Sequence, residues 1–194
     1  MDSENLLPRD GEAYLFPQVF SPEESQQLFQ SLYQNVIWRQ EEIILFGRKV
    51  MQPRLTAWCA DSDKHLRYSG ITMIPDPWSK ELILIKSRVE SVARQSFNGV
   101  LLNLYRDGRD SMGWHQDNEV ELGRRPCIAS VSFGAHRSFH FKHRSTQDLK
   151  VKLELEDGSL LLMQGDCQDH WLHCLPKRLR IDRPRINLTF RKLL

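Results

Sequence analysis

Two spacings of apolar residues divide the chain. Ser21-Pro22-Glu23-Glu24 opens the first patterned segment with a serine N-cap, a proline in the first helical position and a glutamate in the third. The spacing predicts a helix from there to about Tyr33, with Leu28 and Leu32 turned inward. A second helix is predicted to start near Ser79. Leu82, Ile85, Val89, Val92 and Phe97 repeat at helical spacing, and Asn98-Gly99 should end it. Beyond that point the period falls to two. Strands are predicted at 100–105, 127–133, 137–142, 150–155, 159–164 and 185–192, with turns at Gly134-Ala135, Asp157-Gly158 and Gly165-Asp166. Helices followed by many short strands argue for α+β, built on a double-sheet jelly roll. No linker or internal repeat interrupts the pattern, so residues 1–194 read as one domain. Its part to about residue 99 carries the helices, and about 100–194 the strands.

The last predicted strand carries unusual chemistry. Ile186, Leu188 and Phe190 form its apolar face, and Arg185, Asn187, Thr189 and Arg191 the other. At roughly 3.3 Å per residue the two arginine Cα atoms lie about 20 Å apart, and their side chains can lean toward each other. Guanidinium is a natural fork for carboxylate, so this face suits a small dianion held at both ends. It equally suits a solvated strand face.

Gly113-Trp114-His115-Gln116-Asp117 places an imidazole and a carboxylate two residues apart, on one side of an extended segment. His173 follows in Trp171-Leu172-His173-Cys174. Two histidines and one carboxylate form the facial triad of non-haem Fe(II) oxygenases, although zinc accepts the same ligand types. Upstream, Asn103 and Tyr105 share one face of a strand, opposite Leu102 and Leu104, and either donate to a bound acid or face water.

Taken together, Asn103-Leu104-Tyr105-Arg106-Asp107-Gly108, His115-Gln116-Asp117, the run from Ile128 to Ala135 and the ending from Arg185 to Arg191 resemble the AlkB family of oxidative nucleic-acid demethylases. The resemblance runs from about Phe46 to the C-terminus and is greatest to the type that repairs double-stranded DNA. It implies a double-stranded β-helix with helices backing one sheet and the metal between the sheets. It further implies Fe(II) on His115, Asp117 and His173. Asn103, Tyr105, Arg185, Thr189 and Arg191 would hold 2-oxoglutarate, with Asn187 lining the same pocket and O2 as the oxidant. The implied reaction removes methyl groups from 1-methyladenine and 3-methylcytosine, with alkylated DNA as partner and RNA as an alternative. A same-fold oxygenase of protein, or a non-catalytic nucleic-acid-binding module, are the other readings.

The substrate side begins in Glu41 to Arg54. Ile43-Ile44-Leu45-Phe46 is strand-like, Gly47-Arg48-Lys49 breaks it and Val50-Met51 resumes it, which predicts a hairpin with Phe46-Gly47 at the tip. An apolar residue beside two cations is the arrangement of a DNA-inserting wedge, or Phe46 is the last core residue of its strand. The resemblance implies a finger at Phe46, Gly47 and Arg48 that fills the gap left by a flipped base. It also implies Tyr68 as an aromatic lid over that base and Arg54 on phosphate or the opposite strand. In the base pocket, Leu66 and Asn118 depart from the double-strand type, and Glu119 stands in reach to compensate for a neutral Asn118.

Composition changes this picture little. The 194 residues are 40% hydrophobic and 27% charged, ordinary for a globular chain, and no run approaches the roughly 18 apolar residues of a membrane span. Met1-Asp2-Ser3-Glu4-Asn5 lacks the basic start and apolar core of a signal peptide. The four cysteines, Cys59, Cys127, Cys167 and Cys174, form no Cys-x-x-Cys pair, which suits reduced thiols. A cytoplasmic protein (nuclear in a eukaryote), monomeric and away from membranes, is expected. Charge is informative through its distribution. Residues 1–32 hold six acidic side chains against Arg9, so a net +2 leaves +7 on the remainder. His136-Arg137, His140, Lys142-His143-Arg144 and Lys177-Arg178-Leu179-Arg180 are the basic clusters, either a polyanion footprint or a solubilising face.

Overall fold

A computed structural model describes residues 4–45, 48–62, 64–68 and 71–194, with Ile44, Leu45, Arg48, Arg67, Tyr68 and Ile71 described by backbone alone. The first helix, α1 (Pro22–Asn35), starts as its sequence dictates. The Ser21 hydroxyl accepts from the Glu24 amide, and the Glu24 carboxylate accepts from the Ser21 amide. The second, α2 (Lys80–Ala93), is capped by Ser79 and stops earlier than its apolar spacing predicts, at Arg94 in the left-handed region. Phe97 is still buried because it packs on Phe190, with ring centroids 6.1 Å apart. Gly99 does not terminate a helix. It begins a strand, where a Cβ would sit 2.3 Å from Trp58 Cη2, so only glycine admits that indole.

The strands form two antiparallel sheets. The larger runs β1 (Glu12–Phe16), β12 (Leu160–Gln164), β9 (Ile128–Gly134), β14 (Arg185–Arg191), β7 (Gly99–Tyr105) and β4 (Leu55–Ala60), in that order across the sheet. The smaller runs β11 (Lys150–Leu155), β10 (Arg137–His143), β13 (Trp171–Leu175) and β8 (Met112–His115). Two hairpins stand apart: β2 (Glu42–Leu45) with β3 (Arg48–Met51), and β5 (Leu66–Tyr68) with β6 (Ile71–Met73). A one-turn helix, α3 (Cys167–His170), precedes β13. All six strands expected from period two are present, within a residue or two of their expected ends. The strands β1, β4, β8 and β13 were not marked by it.

Two apolar layers hold these elements. Leu32 of α1 and Leu82, Ile85 and Val89 of α2 pack on Leu102, Leu104, Ile186, Leu188 and Phe190, so the helices back the larger sheet. On the other side, Leu101, Tyr105, Leu161 and Met163 meet Phe139, Phe141, Leu153 and Leu155 across the space between the sheets. β14 therefore has both faces covered, and every one of its residues is buried. Its polar face is not a solvated surface but one wall of the gap between the sheets. Leu66, expected beside a flipped base, is instead wholly buried in that inner layer. Among the described residues no helix is long and apolar enough to cross a membrane. The four cysteines are free and buried, and burial pushes the thiols of Cys59 and Cys167 up to about 12.

Candidate metal and co-substrate site

The space between the sheets holds a partly open cavity of about 40 Å³. It is lined from the larger sheet by Asn103, Tyr105, Arg185, Asn187, Thr189 and Arg191, and from the smaller by His115, Phe139 and His173. Asp117 completes it from just beyond β8.

The triad is assembled by strand pairing. His115 on β8 and His173 on β13 are cross-strand partners, and their rings meet edge-on with centroids 4.2 Å apart. Asp117 Oδ2 lies 3.8 Å from His173 Nε2. One ligand atom from each of the three lies within 4.8 Å of the others, close enough for one ion. Their protonation suits a cation. His115 Nδ1 lies 2.8 Å from the Gly113 carbonyl, which holds its proton there and leaves Nε2 bare. Burial depresses the His173 pKa to about 3, so the ring is neutral. Burial alone would raise the Asp117 carboxyl, but Arg191 and the two imidazoles outweigh it and hold the carboxyl far below the usual range. The contact responsible is direct: Arg191 Nη2 donates to Asp117 Oδ1 at 2.8 Å.

At the other end of the cavity Arg185 is 2% exposed. Its Nη2 donates to Ser132 Oγ at 2.9 Å and its guanidinium lies over the Tyr105 ring at 5.3 Å. Arg137 lies over the same ring at 5.7 Å. Two buried cations thus share one tyrosine ring, and the Arg185 Nε finds no hydrogen-bond partner among the described residues. Desolvation lowers the Arg185 pKa to about 10. A buried cation with a spare donor and no carboxylate opposite it is a site prepared for an anion.

The remaining expected residues divide. Asn103 lines the cavity and accepts from Arg54 Nε at 2.7 Å. Asn187 and Thr189 line it too, but they serve one another. Thr189 Oγ1 donates to Asn187 Oδ1 at 3.0 Å, and Asn187 Nδ2 donates to Ser130 Oγ and the Val131 carbonyl. Arg54, expected on phosphate, is 4% exposed and faces inward. Asn118 is exposed beside the triad, whereas the Glu119 carboxyl is partly buried, which raises its pKa, with Oε2 unbonded among the described residues. Phe46 and Gly47 lie outside the described residues, as do the side chains of Arg48 and Tyr68.

Sequence reading missed two supports. Gln168 Oε1 accepts from the Asp117 amide at 2.9 Å and orients the metal loop from α3. Arg137 is a brace, donating to the carbonyls of Asp107, Asp110 and Pro176. It does not belong to the basic surface, and nor does His143, which is 3% exposed. Some of the remaining cations lie on the outside of the smaller sheet. Lys142 pairs with Lys150 and His140 with Lys152 across β10 and β11, and the Lys142 ammonium lies 4.5 Å from the ring centre of Trp114, the residue before metal-site His115.

Comparison with known proteins agrees with this geometry. A model of the 2OG-Fe(II) oxygenase superfamily matches residues 12–191. Alpha-ketoglutarate-dependent dioxygenase alkB homolog 3 of Bos taurus is 41% identical over 91% of this chain and 64% of its own length. DNA oxidative demethylase ALKBH2 of Mus musculus is 40% identical over 91% of this chain and 78% of its own length. This chain thus spans only about 64% of the first of these relatives. A solved structure, "The structure of OsALKBH1", superposes with a TM-score of 0.65 over 93% of this chain and 97% of that one, at 16% identity, a likeness of fold.

Proposed function

The chain belongs to the 2OG-Fe(II) oxygenase superfamily, and from that premise we propose that it is an Fe(II)- and 2-oxoglutarate-dependent dioxygenase that dealkylates DNA bases, folded as a double-stranded β-helix. The observation that carries this reading is one cavity holding a preformed triad at one end and an uncompensated buried guanidinium at the other. His115, Asp117 and His173 would hold iron through two neutral imidazoles and an ionised carboxylate. Arg185, oriented by Ser132 and Tyr105, would take the far carboxylate of the keto acid. Asn103 and Arg191 face its chelating end. Bound together, iron and the keto acid would supply, with O2, hydroxylation of the N-alkyl carbon: one oxygen atom goes into succinate as carbon dioxide leaves, the other goes to the alkyl carbon, which departs as formaldehyde. The walls beside the site are apolar: Leu101, Phe139, Met163 and Leu175 are all buried around it.

The nucleic-acid part rests on three supports. The relative named above as a DNA oxidative demethylase is 40% identical over 91% of this chain. On the outer face of the smaller sheet Lys142 lies over the ring of exposed Trp114, with Lys150 opposite Lys142 on β11, a combination that suits a phosphodiester chain and a base. A methylated base pairs poorly and leaves its stack cheaply, so it can reach a metal between two sheets. The deciding experiment is mass spectrometry of an oligonucleotide bearing 1-methyladenine after incubation with Fe(II), 2-oxoglutarate and ascorbate. Loss of the methyl group with matching succinate is expected. Succinate release with the oligonucleotide unchanged would assign the enzyme another substrate.

Preference for a duplex depends on Phe46. β2 and β3 pair Leu45 with Arg48, and Phe46-Gly47 between them lies outside the described residues. A ring inserted into a duplex replaces the stacking lost when the target base flips. That stacking is worth about 1–3 kcal/mol, or roughly 5- to 150-fold. Phe46→Ala should impair repair of a duplex by about that factor and leave the same lesion in a single strand nearly untouched. Equal loss on both substrates with a lowered melting temperature would make Phe46 a core residue and remove the argument for a duplex.

A further inference from the structure

Arg54 follows the β2–β3 hairpin and immediately precedes β4, where Leu55 pairs with Leu104 and Thr56 with Asn103 of β7. The backbone just before it is pinned twice. The Ser111 amide donates to the Pro53 carbonyl, and Gln40 Nε2 donates to the Gln52 carbonyl at 2.8 Å. Its side chain then runs inward and Nε donates to Asn103 Oδ1 at 2.7 Å, in a buried contact.

That contact determines which way the Asn103 amide faces. Guanidinium only donates, so the atom it meets must be the amide oxygen. The amide nitrogen is thereby turned away from Arg54, on a residue that lines the cavity beside the triad. Without a donor at Oδ1 the amide is free to turn over and present oxygen to an anion, which repels it. We propose that Arg54 is a positioning residue for the co-substrate: it locks the Asn103 amide with its N–H groups aimed at the keto-acid carboxylate. The proposal rests on the reading of this cavity as a keto-acid site. In this proposal Arg54 works through Asn103.

The test measures binding of oxalylglycine, a keto-acid analogue that is not decarboxylated, to the full chain loaded with Mn(II), by calorimetry. Arg54→Met removes the donor and keeps the length of the side chain. It should weaken the analogue about tenfold or more, as expected when a buried acceptor loses its partner. Arg54→Lys restores a donor and should recover most of that loss. In turnover assays of Arg54→Met, KM for 2-oxoglutarate should rise far more than kcat falls. Affinity for a methylated oligonucleotide should stay within about twofold of the parent. Analogue binding unchanged in Arg54→Met overturns the proposal. So does a variant that loses oligonucleotide affinity alone, which would make Arg54 a phosphate contact. If Arg54→Met does not fold, Asn103→Asp decides: it keeps a partner for Arg54 but presents carboxylate to carboxylate, so it should fold and lose the analogue, and retained binding overturns the proposal. A parent protein that binds no analogue overturns the keto-acid reading itself and this inference with it, an outcome separable from a failure in the variants alone.

Discussion

Asp117→Asn should yield a folded protein that retains no iron, and Asp117→Ala one that loses iron and also melts well below the parent. Both variants remove the anionic ligand, and turnover should fall to background in each. They differ in what they leave opposite Arg191. In the parent, Arg191 Nη2 and Asp117 Oδ1 form a pair in which both side chains are 3% exposed. Asparagine keeps an oxygen for that contact at almost the same volume. Alanine removes the carboxylate and leaves a buried guanidinium facing a void. Truncating one partner of a buried pair costs about 3–5 kcal/mol. For a domain of this size that corresponds to a melting temperature roughly 6–20 °C lower. Iron content after anaerobic reconstitution and a thermal melt on each apoprotein settle the matter. Iron and turnover retained in Asp117→Ala would remove Asp117 from the triad. Equal melts for the two variants would mean that the Arg191 contact carries little.

That example shows how far sequence carries and where it stops. His115 and Asp117 are two residues apart, so their common direction follows from strand geometry alone. The same holds for Asn103 with Tyr105 and for the four polar residues of β14. Period two marks which side chains share a face but not what lies opposite that face. Whether Arg185 to Arg191 faces water or a cavity depended on a second sheet contributed by β8, β10 and β13. No local pattern reports that. Contacts bridging distant segments were equally silent: Gln168 on the Asp117 amide spans 51 positions, Arg54 on Asn103 spans 49, and Arg191 on Asp117 spans 74. Arg137 and His143 looked like members of a basic surface because charge is counted along the chain. They prove buried because β10 alternates, sending Arg137, Phe139, Phe141 and His143 inward and His140 and Lys142 outward. Helix α2 ended early for a related reason. Val89, Val92 and Phe97 satisfy helical spacing, yet Phe97 reaches the same apolar layer from a loop.

Arg185→Met should make the apoprotein no less stable, and somewhat more so, while abolishing its response to the keto acid. The two effects have opposite signs because the guanidinium is placed for a ligand rather than for the fold. Desolvation moves the Arg185 pKa from its ordinary 12.5 to about 10, which corresponds to a penalty on the order of 3 kcal/mol for keeping the charge buried. The compensation within the protein is a bond to Ser132 and the Tyr105 side chain, whose ring Arg137 already shares, with no carboxylate among them. Methionine fills most of the same length and needs no hydrogen bond, and the Ser132 hydroxyl oxygen loses only one donor. Replacing buried charge by a well-packed apolar group is often neutral or stabilising by about 1–4 kcal/mol. With the keto acid present the order reverses. In the parent, ligand at a hundred times its Kd adds about 2.7 kcal/mol of stability. The variant has no fork for the distal carboxylate and should show no such shift at the same concentration. Thermal melts of both proteins loaded with Mn(II), with and without 2-oxoglutarate, test both halves in one experiment. A variant whose apo form melts far below the parent would show that Arg185 supports the fold through Ser132 and Tyr105. A variant that keeps the full ligand-induced shift would place the distal carboxylate somewhere other than Arg185.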